Sequence, residues 1–165
     1  MRIAVISDSH DNLKAVERFQ SHVTSHPPDL ILHAGDIVAP FTARLFLEIA
    51  IPIRAVYGNN DGETGGLASL FTGIHSIQRP PFTGEFGGRK IFMVHDLATE
   101  GDLIRRECPD VVIHGHTHRL EMVRRDGCLY LNPGELGGWV TGKSTFMMLE
   151  TENVSVEKVD LEVRP

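Results

Sequence analysis

Five apolar runs in this sequence each break into groups that can bind cations. After "IAVIS" come Asp8 and His10, and after "LILHAG" comes Asp36. "IRAVYG" is followed by Asn59, Asn60 and Asp61, and "IFMV" by His95 and Asp96. "VVIHGHTHR" then places His114, His116 and His118 at alternate positions. Carboxylate oxygen together with imidazole nitrogen suits Mn²⁺, Fe²⁺, Zn²⁺ or Ni²⁺ better than Ca²⁺, which prefers oxygen alone. A carboxylate shared by two such ions holds them roughly 3.5–4 Å apart, the spacing of two-metal hydrolases. Two divalent ions, two aspartates and one hydroxide leave a net charge of about +1, which attracts a phosphate ester.

Each residue also has a duller reading. Asp8, Asp36 and Asn59 taken singly are turn or cap residues after strands, and His95 alone is a strand-end histidine. What favours chemistry is their common placement. Parallel strands bring their C-terminal ends to one edge, where ligand sites of open α/β sheets form. Gly35, Gly58 and Gly115 stand beside the candidates and are expected to permit sharp turns.

The elements needed for this placement are legible. "RIAVIS" reads as a buried strand. "NLKAVERFQSHVTSH" reads as a helix with Leu13, Val16, Phe19 and Val23 in one stripe and Asn12 as N-cap. "LILH" and "IPIRAV" are further strands, separated by a helix that Pro40 opens. This alternation is the pattern of a parallel sheet. In the second half, "RKIFMVHD" and "VVIHGHTH" read as strands around a helix over "ATEGDLIRRECPD". Asp126-Gly127 marks a hairpin turn. "STFMMLETENVSVEKVDLEV" gives two closing strands. So many strands call for a second sheet, and the expected fold is two sheets packed face to face with helices outside.

The totals agree with a single domain over residues 1–165. Hydrophobic residues make up 41%, and no stretch approaches a membrane span. Met1-Arg2 leads directly into the first strand, without the apolar region of a signal peptide. Cys108 and Cys128 form no disulfide framework, so a cytoplasmic setting is expected. The formal charge of −6 argues against a broad nucleic-acid surface.

The ordered set Asp8-x-His10, Gly35-Asp36, Gly58-Asn59-Asn60-Asp61, His95 and Gly115-His116-Thr117-His118 resembles the calcineurin-like metallophosphoesterase superfamily. "YGNND" and the short length are most similar to its small prokaryotic phosphodiesterase branch. The resemblance covers about residues 3 to 134. It implies a four-layer αββα sandwich of two mixed sheets flanked by helices. It implies that Asp8, His10 and His118 hold one metal ion, that Asn59, His95 and His116 hold a second, and that Asp36 bridges them. Two divalent ions per chain are expected, Mn²⁺ first and Ni²⁺, Fe²⁺ or Zn²⁺ as alternatives. The implied activity is phosphodiester hydrolysis of a small phosphate ester by a metal-bridging hydroxide. The resemblance is also compatible with a homodimer.

Three positions depart from the superfamily's pattern. Asn60 stands where many members carry a histidine that assists the leaving group. An amide can donate a hydrogen bond to phosphoryl oxygen but supplies no proton near pH 7, so diesters are expected to outperform alkyl monoesters. Asp96 replaces a usual glycine and is read as a partner of His95 or a solvent-facing residue. Glu135 replaces a frequent serine and is expected to narrow substrate choice if it points inward. Trp139 is read as packing beneath the site, with a contact surface as the alternative, and His114 and His33 as supporting residues. Two alternatives stand beside the diesterase reading. One is a phosphomonoesterase. The other is a non-catalytic scaffold, since the superfamily includes a trafficking subunit of similar size whose site has lost residues.

Overall fold

In the computed structural model, which describes residues 1–161, side-chain alternation along the first strand already defines three layers. That strand, β1 (Arg2–Ile6), sends Ala4 and Ile6 to one side and Ile3 and Val5 to the other. The first side meets helices. Val16, Phe19 and Val23 of α1 (Leu13–Ser25) and Ala43 and Phe46 of α2 (Pro40–Leu47) pack there with Ile31 and Ile53. Asn12 caps α1 by accepting from the Ala15 N–H, and Pro40 opens α2, as their residue types dictate. Leu13 departs from the expected stripe and is 38% exposed.

The first sheet has six strands. β1 pairs in parallel with β2 (Leu30–His33), which pairs with β3 (Ile53–Val56), which pairs with β4 (Ser76–Gln78). A short helix, α3 (Thr64–Leu70), lies between β3 and β4 and buries Leu67. The second sheet begins with β5 (Phe82–Phe86) and β6 (Arg89–Met93), followed by a 3-10 turn (Leu97–Thr99) and α4 (Gly101–Glu107). It continues with β7 (Val111–Ile113), β8 (Leu120–Arg125) and β9 (Cys128–Pro133). The chain then returns to the first sheet with β10 (Ser144–Glu150) and β11 (Ser155–Leu161). The orders are β11-β10-β1-β2-β3-β4 and β5-β6-β7-β9-β8.

The two sheets share a dry interior. Ile3, Val5, Leu30 and Leu32 from one meet Ile91, Met93, Val111, Ile113, Leu129 and Leu131 from the other. Each such side chain contributes about 1.5–3 kcal/mol by leaving water. The outer face of the second sheet puts Phe92 and Val112 against Ile104 of α4. Helix, sheet, sheet, helix is therefore the order of layers, the expected αββα sandwich. Asp126 and Gly127 both take positive φ, 50° and 83°, as a two-residue hairpin turn requires.

Register levels the strand ends. Ile6 stands opposite His33, and His33 opposite Ala55. In the second sheet Met93, Ile113 and Leu131 form the matching row. The loops that follow these strands thus leave at one height, from both sheets.

Two readings of elements need correction. The strand expected over "VVIHGHTH" ends at Ile113, and residues 114–118 form a loop, so the histidines do not share a strand face. The helix expected over residues 98–110 splits into the 3-10 turn and a seven-residue α4.

Candidate metal centre

The loops after β1, β2, β3, β6 and β7 converge, and backbone hydrogen bonds tie them together. The Asp8 N–H donates to Gly35 O at 3.0 Å and the His10 N–H to Asp36 O at 3.1 Å. The Gly115 N–H donates to His95 O at 3.0 Å, and the His95 ring nitrogen Nδ1 lies 2.8 Å from Ala34 O. That last contact joins the second sheet to the first.

Most of the candidate side chains are aimed by strained backbone. Asp8, His10, Asp36, His116 and His118 have φ of 53°, 41°, 61°, 67° and 58°. The left-handed region is costly for residues with a Cβ, and such strain persists where surrounding contacts over-determine it. The glycine expectation is corrected accordingly. Gly35 does take φ +101°, but Gly58 and Gly115 do not take positive φ. They provide space: a Cβ on Gly58 would lie 2.2 Å from Asp36 Oδ1, and one on Gly115 1.9 Å from Ser7 Oγ.

Two groups of donor atoms result, with Asp36 Oδ2 next to both. In the first, His118 Nε2 lies 3.4 Å from Asp8 Oδ1 and 3.3 Å from His10 Nε2, and His10 Nε2 is 3.5 Å from Asp36 Oδ2. In the second, His95 Nε2 lies 3.3 Å from Asp36 Oδ2 and 3.0 Å from Asn59 Oδ1, which is also 2.8 Å from His116 Nδ1. All seven expected ligands are therefore gathered. Atoms bound to one ion at 2.0–2.2 Å stand about 3.0–3.5 Å apart in octahedral or tetrahedral geometry, which matches these separations.

Hydrogen bonding on the far side of two rings sharpens the point. His95 Nδ1 faces a backbone carbonyl, and His118 Nδ1 faces the Glu135 carboxylate at 3.1 Å. Both acceptors call for N–H at Nδ1, so Nε2 is the ring atom turned toward Asp36 or Asp8. Nε2 facing a buried carboxylate calls for positive charge, either a proton on the ring or a cation between the two. Asp8 Oδ1 is itself buried with no hydrogen-bond partner among the described residues. The donor set fits divalent cations.

Electrostatics agree with that demand. Burial raises the Asp36 pKa, but His95 and two hydrogen bonds from Asn60 outweigh it and hold the carboxyl well below its usual range. Burial likewise works against the charged Asp8, whose contacts with His10 and Ser7 keep it ionised. The Asp8 contact raises His10, and contacts with Asp36 raise His95 despite burial. His33 is fully buried and pushed down to about 3, hence neutral, accepting from the Gly35 N–H at Nδ1. His114, also buried, receives a hydrogen bond from Asn132 and stands 3.6 Å from Glu121. Both side chains are buried, at 0% and 2% exposure.

Asn60 donates from its backbone N–H to Asp36 Oδ1 and from its amide to Asp36 Oδ2, both at 2.8 Å. Of the two readings of Asp96 the half-exposed one fits: it caps the 3-10 turn by accepting from the Ala98 N–H and lies 3.9 Å from His116 Nε2, while His95 Nδ1 faces Ala34 O. Glu135 points inward, but at His118 and at the N–H groups of Trp139, Val140 and Thr141, so it shapes the site. Trp139 is corrected. It is 64% exposed, with its indole N–H donating to His10 O at 2.9 Å. Asp61 stands in the loop that follows β3. It accepts from the N–H groups of Asp36, Val38 and Gly58 and so fixes two loops. Its position after "GNN" was the sole signal.

The calcineurin-like phosphoesterase superfamily domain matches residues 1–154. The chain belongs to this superfamily. Membership makes it a hydrolase of the phosphoesterase type, in a metal-dependent family. A phosphodiesterase of Methanocaldococcus jannaschii, MJ0936, is 32% identical over 171 aligned positions, covering 98% of this chain and all of the relative. The solved structure of an archaeal phosphodiesterase superposes with a TM-score of 0.90 at 32% identity, covering 98% of this chain and 100% of the other. Zinc-complexed Vps29 of Entamoeba histolytica shares the fold, with a TM-score of 0.72 at 22% identity over 97% of this chain and 99% of its own.

Proposed function

We propose that the chain is a binuclear phosphodiesterase. Asp8, His10 and His118 hold one divalent ion, Asn59, His95 and His116 the other, and Asp36 is shared. When bound, such ions supply a hydroxide nucleophile at neutral pH and offset phosphoryl charge. The observation that carries the reading is the Nε2 atoms of His95 and His118 turned onto buried carboxylates. Mixed oxygen and nitrogen donors favour Mn²⁺, with Ni²⁺, Fe²⁺ and Zn²⁺ as alternatives.

The chain's own residues orient and exclude. Asn60 clamps both oxygens of Asp36; its second amide N–H is available to a phosphoryl oxygen. Glu135 keeps His118 in one tautomer, and Ala34 does the same for His95. Without an acid beside the leaving group, alkoxides leave poorly. Small diesters and esters of acidic alcohols are thus the favoured substrates. Free thiols at Cys108 and Cys128 suit a reducing cytoplasm.

The test is hydrolysis of bis-p-nitrophenyl phosphate by metal-stripped protein, with and without Mn²⁺, beside Asp36→Ala. Turnover should require Mn²⁺ and fall by about 100–1000-fold in the variant. An alkyl monoester run in parallel should be the poorer substrate. Folded protein inactive with all four metals would replace this reading with the scaffold.

A further inference from the structure

Two cavities border the candidate metal centre, and they share no lining residue. One, of about 360 Å³, has Asn59, His95 and His116 in its wall, together with Tyr57 and Arg79. The other, of about 330 Å³, has His118 in its wall. The first touches ligands of the second ion only, the other a ligand of the first only. A larger cavity beneath α4, around Ile104 and Tyr130, contains none of the candidate ligands.

The cavity beside His118 has a distinct charge. Arg119, Lys143 and Lys158 line it, with Asp160 as its one acid and Thr141 and Thr145 as hydroxyls. Lys158 is engaged with Asp160 at 2.5 Å. In a chain with 22 acids against 16 lysines and arginines, a cavity lined by three cations and one acid is locally cationic. Lys143 is also held near its place. Its N–H donates to Thr141 Oγ, and the Thr141 N–H donates to the buried Glu135 that grips His118. The cationic wall and the metal centre are thus parts of one hydrogen-bonded loop.

We infer that this cavity is a subsite for an anionic substituent of the substrate, beyond the phosphate that is cleaved. The inference rests on the phosphodiesterase reading and narrows it to diesters in which one alcohol carries a further phosphate or comparable anion. The scissile phosphate lies over Asp36. One ester arm runs past His118 toward Arg119 and Lys143, and the other toward Tyr57 and Arg79. A volume of about 330 Å³ lies at the lower end of small-ligand sites, enough for a phosphoalkyl group. Because the cations are exposed, their pull is screened by salt.

The experiment compares two diesters with the same leaving group, ethyl p-nitrophenyl phosphate and 3-phosphopropyl p-nitrophenyl phosphate. With Mn²⁺-loaded protein at low salt, the phosphate-bearing ester should have a KM about tenfold lower. In Arg119→Ala/Lys143→Ala the ratio of the two KM values should fall to about one. In 0.5 M salt the wild-type preference should shrink likewise. Equal KM values in the wild-type protein, or a preference that survives the double variant, would overturn the inference. A second readout needs no turnover. Inorganic phosphate added to metal-stripped protein should shift the amide resonances of Arg119, Thr141 and Lys143, and should not do so in the double variant. If neither ester is hydrolysed, the phosphodiesterase reading fails, and with it the substrate class. The phosphate titration then still decides whether the cavity binds anions.

Discussion

Glu135 bears on the candidate centre through His118, whose Nδ1 lies 3.1 Å from its carboxylate. It is fully buried and ionised, because hydrogen bonds from Thr141, Val140 and His118 outweigh the burial that would raise its pKa. It joins two tasks: it aims His118, and it gathers the N–H groups of Trp139, Val140 and Thr141 into one turn. A glutamine in its place keeps the shape but presents an amide N–H to groups that are already donors. Glu135→Gln should therefore lower Mn²⁺ affinity by about 10–100-fold and unfolding free energy by about 1–3 kcal/mol. Calorimetric Mn²⁺ titration and urea unfolding measure the two. Unchanged affinity would remove Glu135 from the centre. Sequence could not assign this role, since the partner is reached only when β7 and β9 pair. The ligand candidates were easier to see, because each follows directly on an apolar run.

At the level of elements, strands with alternating or continuous apolar residues were legible, and so was the turn at Asp126-Gly127. The elements not foreseen are short and weakly patterned. In β5, a five-residue strand interrupted by Gly84, alternate positions are only half-buried. α3 holds two glycines and buries Leu67 alone. The loop over residues 114–118 misled for a different reason. Alternate histidines imitate a strand's period of two, yet His116 and His118 sit at positive φ, which no strand allows. Gly115 lets that loop pass over β1: its added Cβ would meet Ser7 Oγ at 1.9 Å and Asp8 Oδ2 at 2.6 Å. Both neighbours are fully buried, and Ser7 Cβ itself would lie 3.0 Å from the added atom. Gly115→Ala should cost about 1–3 kcal/mol of stability and weaken Mn²⁺ binding by displacing Asp8. Gly62→Ala, where an added Cβ meets nothing within 4 Å, is the control. Equal urea midpoints for the two variants would mean that the β1 and β7 loops are not packed this tightly.

The whole molecule explains why the site lies where it does. The two sheets meet through an apolar interior, and at its rim the loops of the first sheet carry Asp8, His10, Asp36 and Asn59. The loops of the second carry His95, His116 and His118. Ions held between them cross-link the sheets in the folded state only. The unfolded chain cannot assemble donors drawn from both halves of the sequence. By linkage, free Mn²⁺ at about 100 times its Kd should add about 2.7 kcal/mol to the unfolding free energy. For a chain of this size that corresponds to a melting temperature higher by about 5–10 °C. EDTA should reverse the rise, and Asp36→Ala should nearly abolish it, because in the proposed centre the shared carboxylate would serve both ions. Differential scanning calorimetry with and without Mn²⁺ checks this. A melting temperature indifferent to Mn²⁺ in wild-type protein would mean that the two sheets hold the seven donors together without a cation. The positive charge that the Asp36 and Asp8 carboxylates call for would then be carried by protons on the rings facing them.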